Sequence, residues 1–205
     1  MTASRTRMSP DARRRQLIDL GIAMAGERPL ETITIEAVAE AAGVSKGLIF
    51  HYFESKADFH LQVVREQAQG MIDRTAPRED VTDVLEVLRS SVSAYVDYVS
   101  HKGNAFIGVI RGAASADPDI RGVADRTRAV MSERILERIP EMGIERSPST
   151  ELAVAGWMAF VEETLVRWLA DPVTTREELI EILVGALPLL SQLVGDTVGT
   201  IEQLH

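Results

Sequence analysis

Thr34-Ile-Glu-Ala-Val-Ala-Glu-Ala-Ala-Gly-Val-Ser-Lys-Gly-Leu-Ile-Phe-His-Tyr-Phe-Glu-Ser-Lys56 is the stretch from which the fold of this 205-residue chain is read. Thr34 can cap a short helix over Ile35 to Ala42, Gly43 and Val44 make a turn, and Ser45 can cap a second short helix ending near Phe53. The small and apolar residues fall where two helices crossing at a tight turn need them. Ala39 is small where the second helix must pass close over the first, and Gly43 supplies the permissive backbone of the turn. Val38, Ala42, Val44 and Ile49 then face inward as a compact core. This is helix-turn-helix spacing, and an ordinary helical hairpin shares it.

Outward from this stretch, helix signals recur and strand signals do not. Ser9 with Pro10 is a cap and first-turn pair, opening a helix to about Gly26 with Leu17, Leu20, Ile22 and Met24 on its apolar side. Ser55 with Asp58 has capping-box spacing and opens a longer helix to about Arg74. Past a break at Pro77, helix-period stretches are expected over about 80–100, 104–114, 117–139, 147–170 and 174–194. The only strand candidate, Thr32 to Ile35, is too short to build a sheet. The expected fold class is all-α.

Composition bounds the function. With 45% hydrophobic and 26% charged residues and a mean hydropathy of +0.01, the chain is globular and not broadly disordered. Cysteine is absent, which excludes disulfides, thiolate zinc sites and a cysteine nucleophile. No charge-free stretch approaches the roughly 18 residues of a spanning helix and no signal-peptide core stands at the N-terminus, so a cytoplasmic protein with no membrane partner is expected. The net charge of −9 argues against a generic nucleic-acid coat. It is unevenly spread: residues 1–60 hold eight basic and eight acidic side chains, residues 61–205 fourteen and twenty-three. Arg5, Arg7, Arg13, Arg14 and Arg15 face only Asp11 in the first fifteen residues, and residues 1–8 are expected to form a disordered basic tail. The histidines at 51, 60, 101 and 205 make no His-Glu-x-x-His pair, and neither a Gly-x-Ser-x-Gly elbow nor a phosphate loop occurs. No catalytic residue, metal site or cofactor is expected, and the chain does not read as an enzyme.

If the second short helix enters a major groove, its exposed N-terminal turn offers Ser45, Lys46 and Leu48 to base edges. Lys46 can donate to guanine O6 or N7 and Leu48 can touch a thymine methyl, while Gly47 has no side chain and lets the backbone come close. Thr34, His51, Tyr52 and Lys56 carry donors near helix ends, which suits phosphate contacts. Phe53 and Phe59 read as core.

The quoted segment closely resembles the DNA-binding segment of the tetracycline-repressor (TetR) family of bacterial transcription regulators, and the helices before and after it match as well. The resemblance in motif covers about residues 11–60. Phe50 departs from it, standing where the family commonly carries a tyrosine. The resemblance implies an N-terminal three-helix DNA-binding domain over residues 9–54, followed by a helical effector-binding and dimerisation domain over 55–205, linked by helix 55–74. The residues point the same way. Val154, Trp157, Met158, Val161, Leu165 and Trp168 cover one side of the helix near 150–170 and Leu152, Ala155, Ala159 and Val166 much of the other, so it should be buried on more than one face. The run Ile182 to Leu190 is broken only by Gly185 and Pro188. Both helices are expected to pair with their copies in a homodimer. Candidate lining for an effector cavity is Tyr95, Tyr98, Phe106, Met131, Trp157, Met158, Phe160 and Trp168, with Phe106, Trp157 and Phe160 preferred and Arg111 placed to meet an anionic group. The expected function is a homodimeric repressor of a palindromic double-stranded DNA operator, released by a small, largely apolar effector. The alternative is an architectural or effector-independent DNA-binding protein.

Overall fold

The computed structural model describes residues 8–78, 80–101, 106–109 and 113–202. Its helices are α1 (Pro10–Glu27), α2 (Ile35–Ala42), α3 (Lys46–Tyr52), α4 (Lys56–Arg74), α5 (Val84–His101), α6 (Pro118–Arg138), α7 (Pro148–Ala170) and α8 (Arg176–Glu202). Residues 106–109 are also helical, and no strand occurs among the described residues. Instead of a strand, Leu30–Thr32 forms a 3-10 turn in which the Thr32 N–H and hydroxyl both donate to the Pro29 carbonyl, at 3.0 and 2.6 Å.

Helix starts follow the short polar residues that can accept from free backbone N–H groups. Ser9 accepts from Ala12, Thr34 from Ala37, Ser45 from Leu48 and Ser147 from Thr150. Helix α5 begins later than residue 80 because Arg78 clamps Asp80 at 2.7 Å in the preceding loop, while Asp83 takes the cap position and accepts from Glu86 at 2.9 Å. Helix α8 runs on past Val194 to Glu202.

The chain divides into two compact units, the first holding residues up to 68 and 102–124, the second 69–101 and 125 onward. A boundary at 54/55 therefore falls short. Phe59, Val63 and Val64 of α4, and Ile120 and Val123 of α6, are buried in the same core as the helix-turn-helix residues Ile35, Val38, Ala39 and Ile49.

In the first unit, α1 buries Leu17, Ile18, Gly21 and Ala25, whereas Leu20, Ile22 and Met24 are only half-buried. Gly21 explains the difference, because α4 comes so close there that a Cβ would stand 2.5 Å from Val63 Cγ2 and 2.7 Å from Phe59 Cζ. The Phe59 ring meets Phe53 edge to face at 5.1 Å. Next to Phe59 in the chain, the buried His60 holds its Nε2 3.0 Å from the Ile33 carbonyl, so that nitrogen carries the hydrogen.

In the second unit, α7 and α8 are joined by the Trp157 indole N–H, which donates to the Leu183 carbonyl at 2.8 Å. Arg176 at the start of α8 grips Asp97 of α5 through two bonds of 2.7 Å, and Arg128 of α6 donates to Glu162 of α7 at 2.7 Å. The buried side chains of α7 are Thr150, Val154, Trp157, Met158, Val161, Leu165 and Val166, while Leu152, Ala155, Gly156, Ala159 and Phe160 are exposed. Within one chain, then, α7 is buried on one side only.

Gly21→Ala is expected to lower stability by about 1–3 kcal/mol, the range for adding a methyl to a filled core; urea unfolding monitored by circular dichroism measures it, and an unchanged midpoint would contradict the packing. A second expectation concerns His60. Burial pushes its pKa below the ordinary 6.5, with the Ile33 carbonyl partly opposing the shift and the Lys56 charge adding to it. The unfolded chain therefore binds the proton more readily, so the stability His60 contributes is complete above 6.5 and is lost as pH falls toward its lowered folded value. Unfolding free energies between about pH 7 and pH 5.5 should decline, and His60→Gln should flatten that slope.

Candidate nucleic-acid interface and ligand cavity

The turn between α2 and α3 is set by Gly43, whose φ of 64° lies in the left-handed region that favours glycine. Its N–H returns to the Glu40 carbonyl and that of Val44 to the Ala39 carbonyl, ending α2 and directing the chain into α3. Helix α3 buries Ile49 completely, which turns Lys46, Gly47, Phe50 and His51 outward as an exposed face. Leu48 and Tyr52, four residues apart, form its half-buried flank. The His51 and Tyr52 rings meet edge to face at 5.3 Å.

Each sequence-predicted contact residue can be placed. Thr34 and Ser45 are exposed N-caps whose oxygens accept backbone N–H groups at 3.1 and 3.3 Å, so each hydroxyl hydrogen remains available to a phosphate oxygen. Lys46 forms an ion pair with Glu36 on the first turn of α2, and that pairing holds the Glu36 carboxyl below its ordinary pKa. Lys56 donates to the Glu31 carbonyl at 2.8 Å, which uses one of its three hydrogens and leaves two. Leu48 lies at the edge of the face, and the apolar group at its centre is Phe50, 51% exposed. Sequence reasoning treated Phe50 only as a missing hydroxyl; its position four residues after Lys46 was the signal for the outward face.

Gly47 behaves differently from Gly21. A Cβ on it would meet only Ser45 Oγ, at 3.9 Å, so internal packing does not require the glycine.

In the second unit a cavity encloses about 750 Å³ of space free of protein atoms, open solvent at its mouth included. Its wall is built mainly of apolar side chains from α5, α6 and α7, with Tyr95, Met131, Trp157 and Met158 among them. Phe106 and Phe160 do not line it: Phe106 is buried within the first unit, and Phe160 lies on the exposed side of α7. Tyr98 and Trp168 are also absent from the wall, and the Trp168 N–H is given to the Thr174 carbonyl at 2.9 Å. Arg111 and residues 1–7 lie outside the described residues. Arg134 and Arg138, not singled out in the sequence, stand at the cavity wall. Among the described residues no three potential metal-ligating side chains come together, and no helix is long and apolar enough to cross a membrane.

Residues 17–63 match the family described as "Bacterial regulatory proteins, tetR family", and residues 84–188 match "Tetracyclin repressor-like, C-terminal domain". The chain is 24% identical over 166 residues to the HTH-type transcriptional activator FasR of Mycolicibacterium smegmatis, covering 80% of this chain and 75% of that protein. It is 25% identical over 194 residues to the HTH-type transcriptional repressor KstR2 of Mycobacterium tuberculosis, covering 86% and 94%. Among solved structures, a tetR-family transcriptional regulator from Streptomyces coelicolor superposes with a TM-score of 0.84 at 24% identity, over 93% of this chain and 85% of that one. The transcriptional regulator FadR from Bacillus subtilis, solved in complex with stearoyl-CoA, gives 0.67 at 19% identity over 86% and 97%.

Gly47→Ala separates packing from recognition. It should raise stability by about 0.5–1 kcal/mol, since glycine weakens a helix interior. If this exposed face of α3 is the one that meets DNA, the added methyl should also weaken DNA binding. Urea unfolding and fluorescence anisotropy on one preparation check both; DNA affinity equal to the parent's would remove Gly47 from the contact surface.

Proposed function

The chain belongs to the TetR family of bacterial transcription regulators, and from that premise we propose a homodimeric repressor that leaves a palindromic operator when a small, largely apolar effector fills the cavity of its second unit. One observation carries the reading: helix α6 serves both units. Its first turns bury Ile120 and Val123 in the core that holds the helix-turn-helix, and its last turns supply Met131, Arg134, Ile135 and Arg138 to the cavity wall. A ligand bearing on those last turns acts on a helix the DNA-binding core also depends on. It can shift the balance between operator-binding and released states only by its differential affinity for the two.

The dimer is supported by what one chain leaves uncovered. On α7, Leu152, Gly156, Ala159 and Phe160 form an exposed stripe at helical spacing, and on α8 Ile182, Gly185, Leu189 and Leu190 form another. The small residues let a partner helix approach closely, and a second copy presents the same two stripes in return. Two reading heads related by a two-fold axis require a two-fold symmetric site. Repression is favoured by the name of KstR2, while FasR is named an activator. An apolar effector is favoured by the cavity wall and by the stearoyl-CoA bound to FadR.

Binding-site selection followed by footprinting and sedimentation tests the proposal: a dimer should protect a palindrome with half-sites about 34–36 Å apart or somewhat more. On that site Lys46→Ala should lose about 1–3 kcal/mol and relax the sequence preference, while Lys56→Ala should weaken all sequences alike and reduce the salt slope by about one unit. A monomer protecting an asymmetric site, or a changed preference with Lys56→Ala alone, would contradict it.

A further inference from the structure

We propose that the effector is an amphipathic monocarboxylate, its apolar body against the α5 and α7 side chains and its carboxylate held by Arg138 and Arg134. The inference rests on reading the cavity as the effector site and goes on to name the chemistry of its ligand.

The wall is electrically one-sided. Among the described residues that line it there is no aspartate or glutamate, and there are two arginines. They stand one turn apart on α6, so both project from one face and each raises the positive potential at the other. Arg134 donates to the Ile72 carbonyl at 2.8 Å, and no carboxylate among the described residues is within ion-pair distance of it. Arg138 reaches Glu141 through Nη2 at 3.0 Å, while its Nε is buried with no hydrogen-bond acceptor among the described residues. One glutamate thus answers two guanidinium groups. A cation in the last turn of α6 also complements the carbonyl end of the helix, which accounts for a charge at 138. It accounts neither for Arg134 a turn earlier nor for a buried N–H with no acceptor, an arrangement that is unfavourable until something accepts from it.

The remaining polar groups sharpen the assignment. Of the other polar residues of the wall, Ser91 and Tyr95 carry hydroxyls, while the Trp157 N–H is given to the Leu183 carbonyl and the Thr75 hydroxyl hydrogen to the Met71 carbonyl at 2.8 Å, so these last two offer a ligand chiefly apolar surface. A carboxylate carries the one negative charge and paired acceptor oxygens that match a guanidinium fork. The rest of such a ligand must be apolar to displace water from Val87, Leu88, Met131 and Val161.

The test uses the purified full chain, with decanoate and palmitate as probes against decanol, hexadecanol and palmitoyl-CoA. Binding is read by calorimetry and by the fluorescence of the two tryptophans, of which only Trp157 lines the cavity. At one chain length at least, the carboxylate should bind about tenfold or more tightly than the matched alcohol. Arg138→Gln and Arg134→Gln should each bring that preference toward unity, and Arg138→Lys should restore part of it. Trp157→Phe should remove most of the fluorescence change. Equal binding of acid and alcohol, or binding of palmitoyl-CoA alone, would overturn the carboxylate assignment and leave the cavity as an apolar effector site. If no probe of any head group binds, the effector reading of the cavity falls as well.

Discussion

The approach of α4 to α1 at Gly21 governs the first unit, because it sets the register of the first turns of α4. With Phe59 and Val63 against the glycine, a methyl has no room, and α4 has one register available. That register carries His60 to the Ile33 carbonyl and Lys56 to the Glu31 carbonyl, two backbone groups in the segment that leads into α2. The helix-turn-helix is therefore held by polar ties at its entrance as well as by the buried side chains beneath it. Phe53, stacked edge to face on Phe59, fixes the exit of α3 to the same helix. Little freedom is left to the recognition helix within the unit, which suits a face that must keep its side chains in register with base edges.

Charge is used differently at the two sites. On α3, Lys46, proposed to read bases, is engaged by Glu36, both of them exposed, so on that proposal DNA would compete with an intramolecular ion pair that water weakens. Such a contact selects against weak, nonspecific association more than it stabilises the fold. At the cavity the two arginines are only partly exposed, and among the described residues one glutamate, Glu141, pairs with them. There the unanswered charge raises the return on a matching ligand. The same molecule thus presents one cation that must be freed and two that have acceptors to gain.

Much of the first unit was legible in the chain itself. Caps at Ser9, Thr34 and Ser45, the positive φ at Gly43 and the inward positions of Val38 and Ile49 are local facts, since a cap or a turn is decided by residues within four of one another. The buried face of α1 was not legible, because Gly21 looks like a helix-weakening residue until α4 lies against it. The outward position of Phe50 follows from its place four residues after Lys46, and the complete burial of Ile49 beside it fixes which side of α3 faces out.

The candidate cavity shows the boundary most clearly. Trp157 stands at its wall, yet Phe106 and Phe160, equally aromatic, do not, and Arg134 and Arg138, which the sequence does not single out, do. What the sequence by itself determined was local: an all-helical chain, its helix starts, its tight turn and the motif that marks its family. Only the tertiary structure decided which glycine is a contact and which is an opening, which α7 face is covered within the chain, and which arginines share an apolar wall. Those properties depend on neighbours distant in the chain, and neither periodicity nor propensity carries information about such neighbours.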